Sequence, residues 1–234
     1  MLRLIFKTAL LAIAASIGCG AVMTNAAPTF GADIEAGRLG GSGYLAARIV
    51  QIGDDPRGLQ FDLELTEANE AAEARAALHL FALGAQGLRY GAFVLASDLA
   101  ERTFAAAGPE VLLPLRTDTL AELRAGLGGM AGAGPDIVFA EISLRHTFAS
   151  GLFSEVGGVL ADVDDPVRSG TARQARLGLS YAIPGAPVGV FAELSEARFD
   201  GHDDTTLRIG LSIALGADRT GLFRTPRPIA ALAR

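Results

Sequence analysis

The stretch of sequence that decides the fold is TTLRIGLSIALG, at Thr205 to Gly216. Large apolar side chains alternate along it with polar or small ones, and the apolar set is Leu207, Ile209, Leu211, Ile213 and Leu215. Successive side chains of a β-strand point to opposite faces of the sheet, so this period of two predicts a strand with one apolar and one polar face. The apolar face meets either a protein core or lipid, and the rest of the sequence bears on that choice.

The same period recurs along the chain. It is clearest in LQFDLELT at Leu59–Thr66, VFAEISLR at Val138–Arg145 and RQARLGLSYAI at Arg173–Ile183, while no stretch shows a comparable helical period. With weaker segments included, candidate strands lie near residues 43–53, 59–66, 73–84, 87–97, 121–131, 136–149, 151–162, 171–183, 186–198 and 205–216. Short connections join them, which predicts an antiparallel meander that closes as an up-and-down barrel.

The order of the connections extends this strand count. Outer-membrane barrels have short turns on the periplasmic side and longer loops outside. Working back from the last strand, the connections alternate between longer and tight at Asp200–Asp204, Pro184–Ala186, Val163–Gly170 and Ser150–Gly151. Further back, the order is restored by one more strand near Glu110–Arg116, although Pro114 is unfavourable inside a ladder. A strand near Phe30–Arg38 then makes the count even. The predicted fold is therefore all-β, an antiparallel up-and-down barrel of eight to twelve strands, with twelve favoured.

The N-terminus has the layout of a secretory signal peptide. Arg3 and Lys7 form a short basic region, an apolar stretch follows from Thr8 to Ile17, and small residues come next. This apolar stretch is too short to span a bilayer as a helix. The lone cysteine, Cys19, falls inside this segment, so disulfides are not expected in the mature chain.

The domain prediction follows from these two patterns. We expect a cleaved signal peptide at residues 1–27, a barrel domain at 28–216 and a C-terminal extension at 217–234. The extension contains Pro226 and Pro228, which argue against a further strand. After the signal, no apolar run approaches the roughly 18 residues of a membrane helix, so a membrane crossing would have to use strands.

The charge balance excludes one class of partner. The chain has 20 Lys and Arg residues against 26 Asp and Glu residues, a formal net charge of −6. An acidic protein offers no basic face to a phosphate backbone, so nucleic acid is not an expected partner.

The polar faces of the predicted strands carry more charge than a solvated sheet needs. In a small barrel they would face the lumen, where buried charges must pair. The predicted lumen residues are Asp62, Glu64, Arg124, Glu141, Arg145, Arg176, Glu193 and Arg208, with Arg75 and Arg89 on the same faces. The predicted lipid-facing residues are Leu207, Ile209, Leu211, Ile213 and Leu215. The alternative is the water-facing side of a soluble sheet, where the same alternation is routine.

Signals for catalysis or metal binding are sparse. The three histidines, His79, His146 and His202, are scattered without zinc-type spacing. The GGSG stretch at Gly40–Gly43 does not match the nucleophile elbow. We therefore expect no catalytic residues, no metal site and no cofactor.

In general character, residues 43–216 resemble Gram-negative outer-membrane β-barrel proteins. The resemblance implies location in the cell outer membrane, contact with membrane lipid and with the outer-membrane assembly machinery, and a structural or narrow-pore role in passive transport. The sequence departs from many such barrels at its end, because the last strand finishes at Leu215 and Gly216 and the next aromatic residue is Phe223. The alternative is a secreted or periplasmic soluble β-barrel or sandwich, whose apolar side chains would face a ligand cavity.

Overall fold

Twelve strands make up most of the chain that the computed structural model describes, namely residues 29–39, 42–52, 56–68, 71–99, 102–130, 136–164, 169–216 and 223–226. The first six strands are β1 (Thr29–Leu39), β2 (Ser42–Ile52), β3 (Arg57–Ala68), β4 (Ala71–Leu83), β5 (Arg89–Leu99) and β6 (Arg102–Arg116). The other six are β7 (Thr119–Met130), β8 (Asp136–Thr147), β9 (Leu152–Asp164), β10 (Gly170–Ala182), β11 (Val188–Phe199) and β12 (His202–Gly216). A short 3₁₀ turn, Ala85–Gly87, lies between β4 and β5. Among these residues, no helix is long and apolar enough to cross a membrane.

The strands form one closed sheet. Each strand pairs antiparallel with its neighbours in sequence, and β1 pairs with β12 to close the barrel. The closing register runs from Gly31 opposite Gly216 to Leu39 opposite Arg208. The predicted twelve-stranded antiparallel meander barrel is confirmed, while the predicted signal peptide at residues 1–27 lies outside the described residues.

The two further strands predicted near Phe30–Arg38 and Glu110–Arg116 are both present, as β1 and β6. The pairing of β6 with β7 shifts register between Pro114 and Arg116. Because this irregularity lies at the last residues of β6, the proline interrupts the ladder where pairing is about to end.

The predicted alternation of short and long connections is wrong. The end of the barrel where β1 begins and β12 ends, here called the terminal end, has connections as long as those of the opposite, far end. The Asp200–Asp204 connection, predicted to be long, is a two-residue turn at the far end, because Asp200 and Gly201 adopt φ of 49° and 77°. Positive φ at both central residues is the geometry that fits a tight hairpin between twisted strands.

The period of two decides which side chains enter the barrel. In β8, Ile137, Phe139, Glu141, Ser143 and Arg145 are buried, and the residues between them are exposed. Away from the far end the outward side chains are mainly apolar and are uncovered: the exposed fraction is 57 % for Ile142, 61 % for Leu160 and 66 % for Leu127. The barrel thus has an apolar band on its outer surface.

The interior toward the far end is filled with apolar side chains, here called the far cluster. Its members are Ala77, Phe93, Leu95, Phe104, Ala106, Ile137, Phe139, Val159, Ala161, Val163, Ala172 and Phe199. The rings of Phe93 and Phe139 lie 6.0 Å apart between centroids, although two strands separate β5 from β8 around the barrel. Contacts of this kind cross the interior, so the far cluster bridges the lumen.

Candidate functional site

Beside the far cluster, the lumen contains a network of buried ion pairs centred on Arg124 of β7. Its guanidinium donates to Glu141 at 2.8 Å, to Glu122 at 2.5 Å and to Glu110 at 3.3 Å. The Arg124 side chain is completely buried and also lies over the Phe93 ring, 5.2 Å from its centroid. A buried cation is tolerated only with such partners, since desolvation without them is costly.

The network continues around the barrel wall. Arg176 donates to Glu141 at 2.6 Å and to Glu155 at 3.1 Å, and Arg145 donates to Glu122 at 2.9 Å. These contacts join β7, β8, β9 and β10 by charge-assisted hydrogen bonds. Such bonds are stronger than neutral ones and fix the planar guanidinium groups in place.

A second group of charges lies on the opposite wall. His79 Nδ1 lies 2.8 Å from Glu110, and His79 Nε2 lies 3.5 Å from Asp62. Asp62 is also 3.5 Å from Arg48. Further around, Arg208 donates to Glu35 at 2.9 Å. His79 and Glu110 therefore connect the two groups into one polar layer.

A short piece of the C-terminal extension, Phe223–Pro226, lies inside this layer; we call it the tail segment. The backbone N–H of Phe223 donates to Gln60 Oε1 at 2.9 Å, and Gln60 Nε2 donates to the Phe223 carbonyl at 2.7 Å. The Phe223 ring stacks on His79, with 5.6 Å between centroids and 8° between planes, and packs 5.4 Å from Phe81. Phe223 is fully buried, in an apolar cluster with Phe81, Val50 and Leu112.

The next residues of the tail segment join the ion pairs. Arg224 donates from its backbone to Glu122 at 3.1 Å and from Nε to Glu155 at 2.6 Å, and its carbonyl accepts a hydrogen bond from Arg124 at 2.6 Å. The Thr225 hydroxyl donates to Asp62 at 2.6 Å. Glu122, Glu155 and Asp62 belong to β7, β9 and β3, which are not neighbours in the barrel. One segment can contact all three only from the lumen.

A cavity of about 240 Å³ lies beside the tail segment and reaches the terminal end. Its lining includes Arg224, Glu155, Arg208 and Glu193 in the interior, and Gly151 near the rim. The Arg224 side chain is 28 % exposed, whereas Glu155 is 3 % exposed. The guanidinium of Arg224 therefore sits between the buried network and the open cavity.

The structure places the predicted lumen residues in one layer of the interior. Asp62, Glu64, Arg124, Glu141, Arg145, Arg176 and Arg208 are each at most 8 % exposed, and Glu193 is half-buried beside the cavity. The predicted lipid-facing side chains of β12 are all exposed on the outer surface, from 42 % for Ile213 to 55 % for Leu211.

Sequence reasoning missed several members of this site. Glu122 and Glu155 lie at inward positions of predicted strands, so strand alternation could have identified them. Gln60 lies on the polar parity of the predicted strand Leu59–Thr66 and could have been identified in the same way. The position of Phe223 and Arg224 had no sequence signal, because a single Phe-Arg pair outside any predicted strand shows no period of its own. Residues 217–222 and 227–234 of the predicted extension lie outside the described residues.

The fold and this site define a class: closed twelve-stranded antiparallel barrels with an apolar outer surface and a charged interior. Among solved structures, the chain is similar to a NanC porin, with a TM-score of 0.64 at 10 % identity, covering 78 % of this chain and 98 % of the porin. It is also similar to a KdgM porin in complex with disordered oligogalacturonate, with a TM-score of 0.57 at 11 % identity over the same shares of the two chains. No protein-family model and no curated protein sequence matches the chain.

Proposed function

We propose that this chain is an outer-membrane β-barrel protein with a structural or narrow-pore role in passive transport at the cell envelope. The observation that carries the proposal is the inversion of the usual soluble pattern, with apolar side chains outside and ion pairs inside. A closed barrel satisfies every ladder hydrogen bond within itself, so such a surface is stable in lipid. In water, a continuous apolar surface of this extent would drive aggregation.

The distribution of charge on the outer surface supports this placement. Charged residues at outward strand positions concentrate at the far end, as Asp98, Asp136, Asp162, Arg173 and Arg198. Toward the terminal end the same faces carry mainly Leu, Ile, Val and Ala. An apolar band below a charged rim is the pattern expected of a barrel whose rim reaches the polar lipid headgroups.

The direction of the side chains argues against the alternative, which is a soluble barrel that binds an apolar ligand inside. Such a barrel would direct its apolar faces toward an internal cavity. Here the cavity beside the tail segment is lined by charged groups such as Glu155 and Arg208, and the apolar interior is occupied by the packed far cluster. Membrane lipid and the outer-membrane assembly machinery are the partners that we propose.

We also propose that the role is passive and involves no catalysis. His79 is committed to the ion pairs of the lumen, His202 lies at the far end, and His146 lies near the terminal end. His146 Nδ1 is 2.9 Å from the Thr119 hydroxyl, which in turn donates to Asp118 at 2.8 Å. That hydroxyl keeps the pKa of Asp118 below its ordinary value. Because Thr119 uses its proton for Asp118, His146 does not activate it as a nucleophile.

Fractionation of cells that express the full chain tests the proposal. We expect the protein in the outer-membrane fraction, with detergent required for extraction. We also expect a gel mobility that changes on boiling, since an unheated barrel stays folded and compact. A soluble maltose-type periplasmic binding protein serves as the control for leakage between fractions. Recovery of the chain in the soluble periplasmic fraction would refute the membrane location.

A further inference from the structure

The tail segment is recognised through features that belong to any extended peptide. The Gln60 side-chain amide forms two hydrogen bonds with the main chain of one residue, Phe223, in the way that a neighbouring strand would. The main chain of Arg224 is also bound at both groups, its N–H by Glu122 and its carbonyl by Arg124. Side chains of the barrel therefore form hydrogen bonds with the main chain of two consecutive residues.

The same site also distinguishes side chains. The pocket of Phe81, His79, Val50 and Leu112 surrounds one aromatic ring. A single carboxylate oxygen of Glu155, Oε2, contacts the following guanidinium at both Nε and Nη2. One oxygen held between two nitrogens of a planar guanidinium is an arrangement that a lysine ammonium, a single point charge, does not reproduce. The Arg224 guanidinium also lies over the Phe153 ring, 6.0 Å from its centroid.

The site is accessible without parting the strands. Gln60, Glu122 and Glu155 each lie three residues from the start of their strands at the terminal end. The adjoining cavity of about 240 Å³ extends from Arg224 to that end. The tail segment itself pairs with no strand of the described sheet, so its release breaks no ladder hydrogen bond.

We propose that the terminal half of the lumen is a binding site for an extended peptide in which an aromatic residue precedes an arginine, and that the tail segment is its resident, exchangeable ligand. A free peptide of this chemistry competes with the chain's own residues for Gln60, Glu122 and Glu155. This site is additional to the proposed membrane role and does not depend on where the barrel resides.

The test uses the full-length chain carrying Phe223→Ala and Arg224→Ala, refolded in detergent, and a fluorescent peptide that corresponds to residues 221–228. We expect saturable binding by anisotropy, and binding about ten-fold weaker or more for a control peptide with Arg224→Glu, since the pairing with Glu155 is lost. The unsubstituted chain should bind the peptide more weakly than the double variant, because its own tail segment occupies the site.

Equal binding of the two peptides, or no binding by a folded double variant, would overturn the proposal. Equal binding by the unsubstituted chain and the double variant would overturn it as well.

A second measurement needs no variant. Amide hydrogen exchange of the unsubstituted chain should accelerate at Phe223 and Arg224 when the free peptide is added in excess, and should not respond to the control peptide. An unchanged exchange rate at saturating peptide would contradict an exchangeable ligand. Because both measurements are made in detergent, they give their answer whether or not fractionation places the chain in the outer membrane.

Discussion

At the scale of single residues, the lumen shows how buried charge is made tolerable in this protein. Arg124 is completely buried and is satisfied by three carboxylates and one carbonyl, those of Glu110, Glu122, Glu141 and Arg224. Removing one member of such a set costs more than the set itself contributes, because the remaining carboxylates stay buried without their cation. The stability of the network is thus more sensitive to loss of its central cation, Arg124, than to loss of a charge at its edge.

Replacing that central cation should therefore be among the most damaging single changes in the barrel. For Arg124→Met, we expect the free energy of unfolding to fall by about 3 to 5 kcal/mol, as for other broken buried ion pairs. Urea titration of the protein folded in lipid vesicles measures this loss. The matched control is Arg116→Met, whose side chain is 78 % exposed at a turn, and it should change stability by about 0.5 kcal/mol or less. Similar losses for both variants would contradict the assigned role of the network.

At the scale of elements, inward glycines of β7 make room for aromatic rings of the neighbouring strands. A methyl group at Gly126 would lie 2.7 Å from the Phe139 ring, and one at Gly128 would lie 2.6 Å from the Phe104 ring. Phe139 and Phe104 belong to the strands on either side, β8 and β6. Close packing leaves no free volume for such additions, so glycine and ring are complementary in shape.

This complementarity predicts a second-site effect. For Gly126→Val, we expect a loss of stability of about 1 to 3 kcal/mol, as for other overpacked cores. The smaller side chain of Phe139→Leu should restore part of that loss, and a double-mutant cycle by urea titration measures the coupling. Gly43→Val is the control, because nothing lies within 4 Å of a methyl group there. If the stability changes of Gly126→Val and Phe139→Leu are additive, the proposed contact between residue 126 and the Phe139 ring is contradicted.

At the scale of the whole molecule, the barrel has a filled interior and an apolar outer band. The far cluster and the ion-pair layer, which contains the tail segment, follow one another along the lumen, and the cavity of about 240 Å³ opens beside the tail segment. Outside, Leu207 to Leu215 on β12 cover about 26 Å along the strand at the usual rise per residue. At the usual tilt of roughly 40°, this length rises about 20 Å and so covers most of the roughly 25 Å apolar band of an outer-membrane barrel.

The depth of a charge in that band gives a direct test of which surface meets lipid. Leu211 is the central outward residue of β12, and Leu215 lies beside its end. We expect Leu211→Arg to destabilise the vesicle-folded barrel by about 2 to 4 kcal/mol and Leu215→Arg by about 0 to 1 kcal/mol, since the cost falls from the midplane to the interface. Urea titration of both variants in the same vesicles gives the comparison. Equal costs at the two depths would place this face outside the bilayer core.

The sequence by itself determined most of the strands and the two faces of each, because a period of two is a local property that survives without tertiary contacts. It bounded the number of strands only at eight to twelve, because the connection order that favoured twelve is not the order found in the structure. It also indicated the charged lumen, since Asp62, Arg124 and Arg176 share the polar parity of their strands. The connection lengths were misjudged, because a turn such as Asp200–Gly201 depends on where the flanking ladder stops pairing, which the composition of a polar stretch does not reveal.

Only the tertiary structure decided what fills the lumen. Phe139 and Phe93 come together because the barrel closes, and Arg224 meets Glu155 because the tail segment lies in the lumen. Arg224 and Glu155 are 69 positions apart, and Phe223 and Gln60 are 163 apart. Contacts over such separations leave no periodic pattern in the sequence. Alternation fixes which way a side chain points, but the partner it meets there is set by the closure and diameter of the barrel.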